Sequence, residues 1–211
     1  MKHVIVVGCG SLGSKVVKML EQYSIPFVVI VDVADKFSNE VVLDLVKKGI
    51  KVIYGDARVS DVLKDAGIEN AYAIIITINN DIVNTEIAKK AKELNPNIRT
   101  VVRIFNDELA EILQKTGYVD LPLSTSLITH ASFVLGAFFK VSPKDAPLLI
   151  SANHKFAGKT IAELENLGLL ILAIKRGNEW FIPQRNDRVM EGDIMAIVGN
   201  IKEFLKAVTS V

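Results

Sequence analysis

A short apolar run, Val4-Ile5-Val6-Val7, ends directly in Gly8-Cys9-Gly10-Ser11-Leu12-Gly13, and a helical rhythm begins at once after it. No other feature constrains the chain as much. A strand must turn sharply into a helix at Gly8, the backbone must stay bare at Gly10, and helix and strand must pack closely at Gly13. The spacing G-x-G-x-x-G is weak evidence alone; it gains weight here because strand, turn and helix lie within one unit of about 30 residues.

The same alternation continues. Apolar runs rich in Val and Ile occupy 3–7, 27–32, 51–54, 71–78 and 100–105. They are nearly continuous in apolarity, as strands covered on both faces of a parallel sheet read. Between them the helical sets are Leu12, Val16, Met19 and Tyr23, then Val41, Val42, Leu45 and Val46, then Val83, Ile87, Ala91 and Leu94, ended by Asn95-Pro96. Strand–helix–strand repetition predicts an α/β fold, a Rossmann-like doubly wound parallel sheet with right-handed crossovers.

Ligands of such sheets lie at the carboxyl ends of the strands. The helix opened by the glycine turn offers free N–H groups and the positive end of its dipole to phosphates. Asp32, 19 residues after Gly13 and followed by Val33, stands where a carboxylate accepts the adenosine ribose hydroxyls. A carboxylate there repels a 2′-phosphate, which disfavours NADP. Strand three ends in Gly55-Asp56-Ala57 and strand four in Thr77-Ile78-Asn79-Asn80-Asp81, with Asn79 or Asn80 a candidate cap for the next helix. Arg103, on an otherwise apolar strand, needs a partner: Asp107, Glu108 or the ligand. The expected binding set is Gly8, Cys9, Gly10, Ser11, Leu12, Gly13, Asp32, Val33, Gly55, Asp56, Ala57, Thr77, Ile78, Asn79 and Arg103.

Residues 124–139 follow a helical stripe through Leu127, Ala131, Val134 or Leu135, and Phe138, with Ser124 or Thr125 as N-cap. Phe133 and Phe139 lie off the stripe, so this helix is apolar on more than one face; it is either a core helix or a dimer arm. Pro143, Lys144, Asp145 and Pro147 read as a linker. Strand-like runs follow at 148–152, 170–175, 179–182 and 193–198, with a turn at Asn178 and helices at 160–166 and 201–208, a smaller α+β module.

Composition limits the functions. Among 211 residues, 25 Lys+Arg against 24 Asp+Glu give +1, so a nucleic-acid partner is not expected. One cysteine, Cys9, and three dispersed histidines argue against a disulfide or metal site and suit a reducing compartment. The mean hydropathy of +0.33 prompts a search for a membrane span. The candidate 121–139 carries Pro, Ser, Thr and His throughout its first half and is too polar. No secretory leader precedes the first strand, so a soluble, cytoplasmic protein is expected. No tyrosine has a lysine four residues later, and GxSxG, HExxH and GxxxxGK[ST] do not occur. Dinucleotide binding without catalytic machinery points to sensing.

These residues resemble the regulator of potassium conductance family, the TrkA or KTN domains. The resemblance is carried by 4–13, Val29-Ile30-Val31-Asp32, Tyr54-Gly55-Asp56-Ala57, 63–68, 77–84, 91–96, Arg103 and Leu113-Gln114-Lys115-Thr116-Gly117. In the second half it is carried by 157–164, 171–176, Pro183 and 191–199, which are similar to the companion TrkA-C domain. The resemblance implies a nucleotide-binding domain over 1–121, a crossover dimerisation helix and linker over 122–143, and a small ligand-binding domain over 144–211. It also implies a cytoplasmic regulatory subunit of an integral-membrane potassium channel or transporter, at the inner face of the membrane, dimeric and often assembled into an octameric ring. Some members bind cyclic di-AMP or divalent ions in the second half.

Three positions depart from the family's pattern. Ser11 stands where ATP-responsive members carry Arg, Ala34 where a second acid is frequent, and Leu123 where a Glu is often found. NAD(H) is therefore favoured, with ADP, AMP or ATP as alternatives. The competing reading is a small NAD-dependent oxidoreductase; a third is a scaffold with an empty crevice.

Overall fold

The computed structural model describes residues 3–36, 39–124, 148–152 and 155–199. The chain divides into two compact units, 1–134 and 135–211. The crossover-helix expectation from 125 onward, the 143–147 linker, His130, His154 and the final helix over 201–208 lie outside the described residues.

The first unit alternates strands and helices. Its strands are β1 (Val4–Val7), β2 (Phe27–Val31), β3 (Val52–Tyr54), β4 (Ala73–Ile76), β5 (Arg99–Ile104) and β6 (Leu121–Ser124). Its helices are α1 (Ser11–Gln22), α2 (Glu40–Lys47), α3 (Ser60–Asp65), α4 (Asp81–Leu94) and α5 (Asp107–Thr116), with short 3-10 turns at Val33–Lys36 and Ile68–Asn70. The sheet is parallel throughout, in the order β3-β2-β1-β4-β5-β6, so the order reverses between β1 and β4. Ile5, Val6, Val29, Ile30, Ile74 and Ile76 are fully buried, which is why these runs show no polar alternation. The face holding Ile5, Ile30 and Ile74 packs on Leu63, Ile87 and Leu113; the opposite face, with Val6 and Val29, packs on Val17, Val42 and Leu45.

Two readings change. The buried stripe of α1 is Gly13, Val17 and Leu20, not the Leu12–Val16–Met19–Tyr23 set, and Met19 is exposed. Gly13 fixes this rotation: a Cβ there would lie 2.1 Å from the Gly8 carbonyl oxygen, so only a glycine can face the strand. Sequence periodicity did not resolve α3, α5 or β6. β6 contains Pro122, tolerable because β6 is the edge strand and needs fewer ladder donors. Ser124 is the last residue of this strand; its expected role as a helix N-cap concerns residues outside the described ones.

The second unit is an antiparallel sheet, β7 (Leu148–Ser151), β8 (Leu169–Arg176), β9 (Glu179–Phe181) and β10 (Ile194–Gly199), in the order β7-β10-β8-β9. Arg176 pairs with Glu179, so Gly177 (φ +61°) and Asn178 form the hairpin turn. A short helix α6 (Ile161–Glu165) is started by a capping box between Thr160 and Glu163. Ile161 and Leu164 bury against Ile171, Ile174, Met195 and Ile197. Arg176 donates to both carboxylate oxygens of buried Asp193 at 2.9 and 2.8 Å and lies over the Phe181 ring. This arginine holds the Asp193 carboxyl below its ordinary pKa against the opposing effect of burial.

Candidate functional site

A crevice of about 600 Å³ opens at the carboxyl ends of the strands, at the reversal of strand order. It falls within the size of small-molecule sites, roughly 300–1,000 Å³. Of the expected set, Gly8, Cys9, Gly10, Ser11, Asp32, Gly55, Asp56, Ala57, Thr77, Ile78, Asn79 and Arg103 line it. Leu12, Gly13 and Val33 do not. Leu12 and Gly13 lie inside the first turn of α1, and Val33 begins a 3-10 turn with its side chain exposed.

Each wall has a local cause. Gly8 turns with φ +88°, where a side chain is strained, and a Cβ there would meet Thr77 Oγ1 at 3.2 Å. Gly10 is the N-cap of α1, and a Cβ there would meet nothing within 4 Å, so the backbone faces open space at the helix start. That bare backbone, together with the N–H groups of α1, is the chemistry an anion requires. The buried Thr77 hydroxyl donates toward the Val7 and Gly8 carbonyls at 3.0 and 3.1 Å, joining β4 to the glycine turn. From the other side Asn39 caps α2 by accepting from Val41 and Val42 N–H and donates its amide to the Cys9 carbonyl at 2.9 Å.

The charged groups divide by role. Asp32 accepts the Ala34 N–H on one carboxylate oxygen at 2.9 Å; no second protein donor reaches it among the described residues. Asp56 is different. Arg58 donates to both its oxygens, from Nε to Oδ1 at 3.0 Å and from Nη2 to Oδ2 at 2.7 Å, and reaches Glu86 on α4 at 3.5 Å. The Arg58 guanidinium holds the Asp56 carboxyl below its ordinary pKa. Arg103 stacks on the Phe105 ring at 4.1 Å, and its buried Nε has no hydrogen-bond partner. Among the described residues it forms no ion pair with Asp107 or Glu108. Ser124 donates to Asp107 instead.

Sequence reasoning missed Arg58, Asn39 and the crevice-lining Val83. The only available signal for Arg58 was an arginine two residues beyond a strand-ending aspartate. Asn80, rather than Asn79, caps α4, accepting from Val83 N–H at 3.0 Å, and leaves Asn79 on the crevice. Among the described residues no group of three His, Cys, Asp or Glu side chains could hold a metal ion, and no helix is long and apolar enough to cross a membrane.

Comparison with known families matches residues 4–123 to the TrkA-N domain and 148–209 to the TrkA-C domain. The chain belongs to the TrkA-N family. Potassium channel protein 1 of Methanocaldococcus jannaschii is 27% identical over 97% of this chain, which spans 65% of that relative's length. The Ktr system potassium uptake protein C of Bacillus subtilis is 27% identical over 96% of this chain and 94% of its own. Among solved structures, GsuK bound to ADP superposes with a TM-score of 0.52 at 27% identity, covering 64% of this chain and 33% of that one. Proteins named for potassium channels and potassium uptake are thus among the relatives of this chain, and its first half has a Rossmann-like parallel sheet.

Proposed function

We propose that this chain is a non-enzymatic, ligand-gated regulatory module of a potassium channel or transporter, and that it reads occupancy of the first-unit crevice by an adenine nucleotide. One observation carries this reading. The glycine turn with its bare Gly10, the carboxylate of Asp32 and Arg103, which forms no ion pair among the described residues, line one crevice at the strand-order reversal. Groups suited to an anion, a ribose and a second anion are thereby supplied in one crevice. The ADP complex of GsuK supports an adenosine diphosphate moiety as the common element.

In this reading the N–H groups of α1 take the pyrophosphate, Asp32 takes the ribose hydroxyls, and the Gly55–Ala57 backbone borders the adenine. NAD(H) is the favoured ligand, with ADP, AMP and ATP as competitors, because Ser11 supplies no charge for a terminal phosphate. Homodimerisation through the segment after β6, assembly into a ring of up to eight chains, and location at the cytoplasmic face of the membrane beside a pore-forming partner complete the proposal. The energetics favour an assembly. One site couples by about 1–3 kcal/mol, whereas shifting a gate from 1:99 to 99:1 takes about 5.5 kcal/mol, so several sites must act together.

The test is calorimetric titration of the full chain with NAD, NADH, ADP, AMP and ATP, alongside native mass spectrometry. Saturable binding of NAD or ADP with an even-numbered oligomer supports the reading. An empty crevice under all five ligands refutes it, and hydride transfer to any of a panel of carbonyl substrates would favour the oxidoreductase.

A further inference from the structure

Among the described residues, two buried side-chain polar atoms lack a hydrogen-bond partner, Asn84 Oδ1 and Arg103 Nε, and both sit at one junction. Asn84 lies in the first turns of α4 with no exposed surface. Its amide nitrogen donates twice, to the Ile78 carbonyl at 2.8 Å and to the Arg103 carbonyl at 2.9 Å. The first carbonyl belongs to the loop after β4, the second to β5, and Ile78 and Arg103 both line the crevice.

Burying an amide with its oxygen unsatisfied is unfavourable, and the neighbouring buried positions of α4 are Ile87, Ala88 and Ala91. An apolar side chain would suit this face better if packing were the whole requirement. A nitrogen with two N–H donors gives each of two carbonyls a proton of its own, which no apolar side chain does. Asp81, one turn earlier, clamps the far side of the same stretch by accepting from the Phe105 and Asn106 N–H groups at 2.9 and 3.0 Å. The backbone from the Arg103 carbonyl to Asn106 is therefore held from α4, while among the described residues the Arg103 side chain has no anionic partner. Its position depends on its main chain and on the ring of Phe105, which the same α4 contacts hold at its N–H.

We infer that Asn84 is a positioning residue of the crevice: by joining the ends of β4 and β5 it sets where the Arg103 guanidinium meets an anionic group of the ligand. This rests on the nucleotide reading above. A buried asparagine that only supported the fold would lower stability without acting through Arg103.

A double-mutant cycle on the full chain separates the two. ADP affinity is measured by calorimetry for wild type, Asn84→Ser, Arg103→Ala and the double variant. Each single change is expected to weaken ADP binding about tenfold, one hydrogen bond to a charged group's worth. The double variant is expected to bind no more weakly than Arg103→Ala, because a misplaced guanidinium and a missing one are equivalent. Should Asn84→Ser not fold, Asn84→Asp, which keeps the volume but loses the paired donors, carries the same cycle. Losses that multiply to about a hundredfold, or wild-type affinity in the Asn84 variant, overturn this inference alone. Failure of the wild type to bind ADP or NAD overturns the nucleotide reading and this inference with it.

Discussion

Alanine at Gly10 and at Gly13 should have opposite consequences although the two lie three residues apart. At Gly13 the added Cβ would sit 2.1 Å from the Gly8 carbonyl oxygen, 2.7 Å from Thr77 Oγ1 and 2.9 Å from the Gly8 carbonyl carbon. These are main-chain atoms and a hydroxyl whose proton is shared between two carbonyls, none free to move aside, so α1 must slide off β1. Overpacking of this kind costs about 1–3 kcal/mol, which at this chain length corresponds to roughly 2–12 °C in Tm. At Gly10 the Cβ would meet nothing within 4 Å and φ is −73°, open to any residue. Restricting the unfolded chain gains about 0.4–1 kcal/mol, and the loss of a glycine N-cap offsets a similar amount. Tm should therefore stay within about 2 °C. The methyl group nevertheless occupies the space through which a phosphate approaches the α1 N–H groups, so ADP and NAD affinity should fall at least about tenfold. Differential scanning calorimetry and titration calorimetry on both variants test this directly. Unchanged ADP affinity in Gly10→Ala would refute the approach of the ligand to this turn, and an unchanged Tm in Gly13→Ala would refute the close packing of helix on strand.

Asp32→Ala should weaken NAD and ADP binding by about tenfold while leaving Tm nearly unchanged, since this exposed side chain makes one bond within its own turn; a titration showing equal affinity would remove it from the ribose. Asn39→Ala loses both the α2 cap and the tie to the Cys9 carbonyl, a destabilisation of about 1 kcal/mol or more, whereas Asn39→Asp keeps the cap and should recover most of the Tm; equal melting of the two would show that the cap contributes little. The second unit should lose stability in acid. The Asp193 carboxyl is depressed in the folded state by Arg176, so its contribution is present above the ordinary carboxylate value of about 4 and disappears as pH falls through the lower folded value. Melting of the full chain between pH 2 and 7 should show this decline, and Asp193→Asn should flatten it; an identical acid limb in the variant would assign the loss to other carboxylates.

The unequal fates of the two strand-end aspartates show where sequence reasoning reaches its limit. Asp32 and Asp56 both follow apolar runs and both line the crevice. Only Asp32 keeps an oxygen without a protein donor among the described residues, because Arg58 folds back onto Asp56 and continues to Glu86, 28 residues away in sequence. Arg103 shows the reverse case. Two carboxylates within five residues suggest a local pair, yet β5 extends its side chain toward the crevice, and Asp107 instead receives Ser124 from the adjacent strand.

The sequence by itself determined the strand–turn–helix start, the parallel class of the first sheet, the hairpin at Gly177-Asn178 and the short helix α6, because each depends on neighbours within a few residues and on backbone conformations that few residue types adopt. Tertiary structure alone decided which face of α1 is buried, that Pro122 lies in an edge strand, that Thr77 reaches a carbonyl 70 residues away, and that Asn84 joins two strand ends. These depend on contacts between residues distant in the chain, whose partners exist only once the sheet has brought the strand ends together.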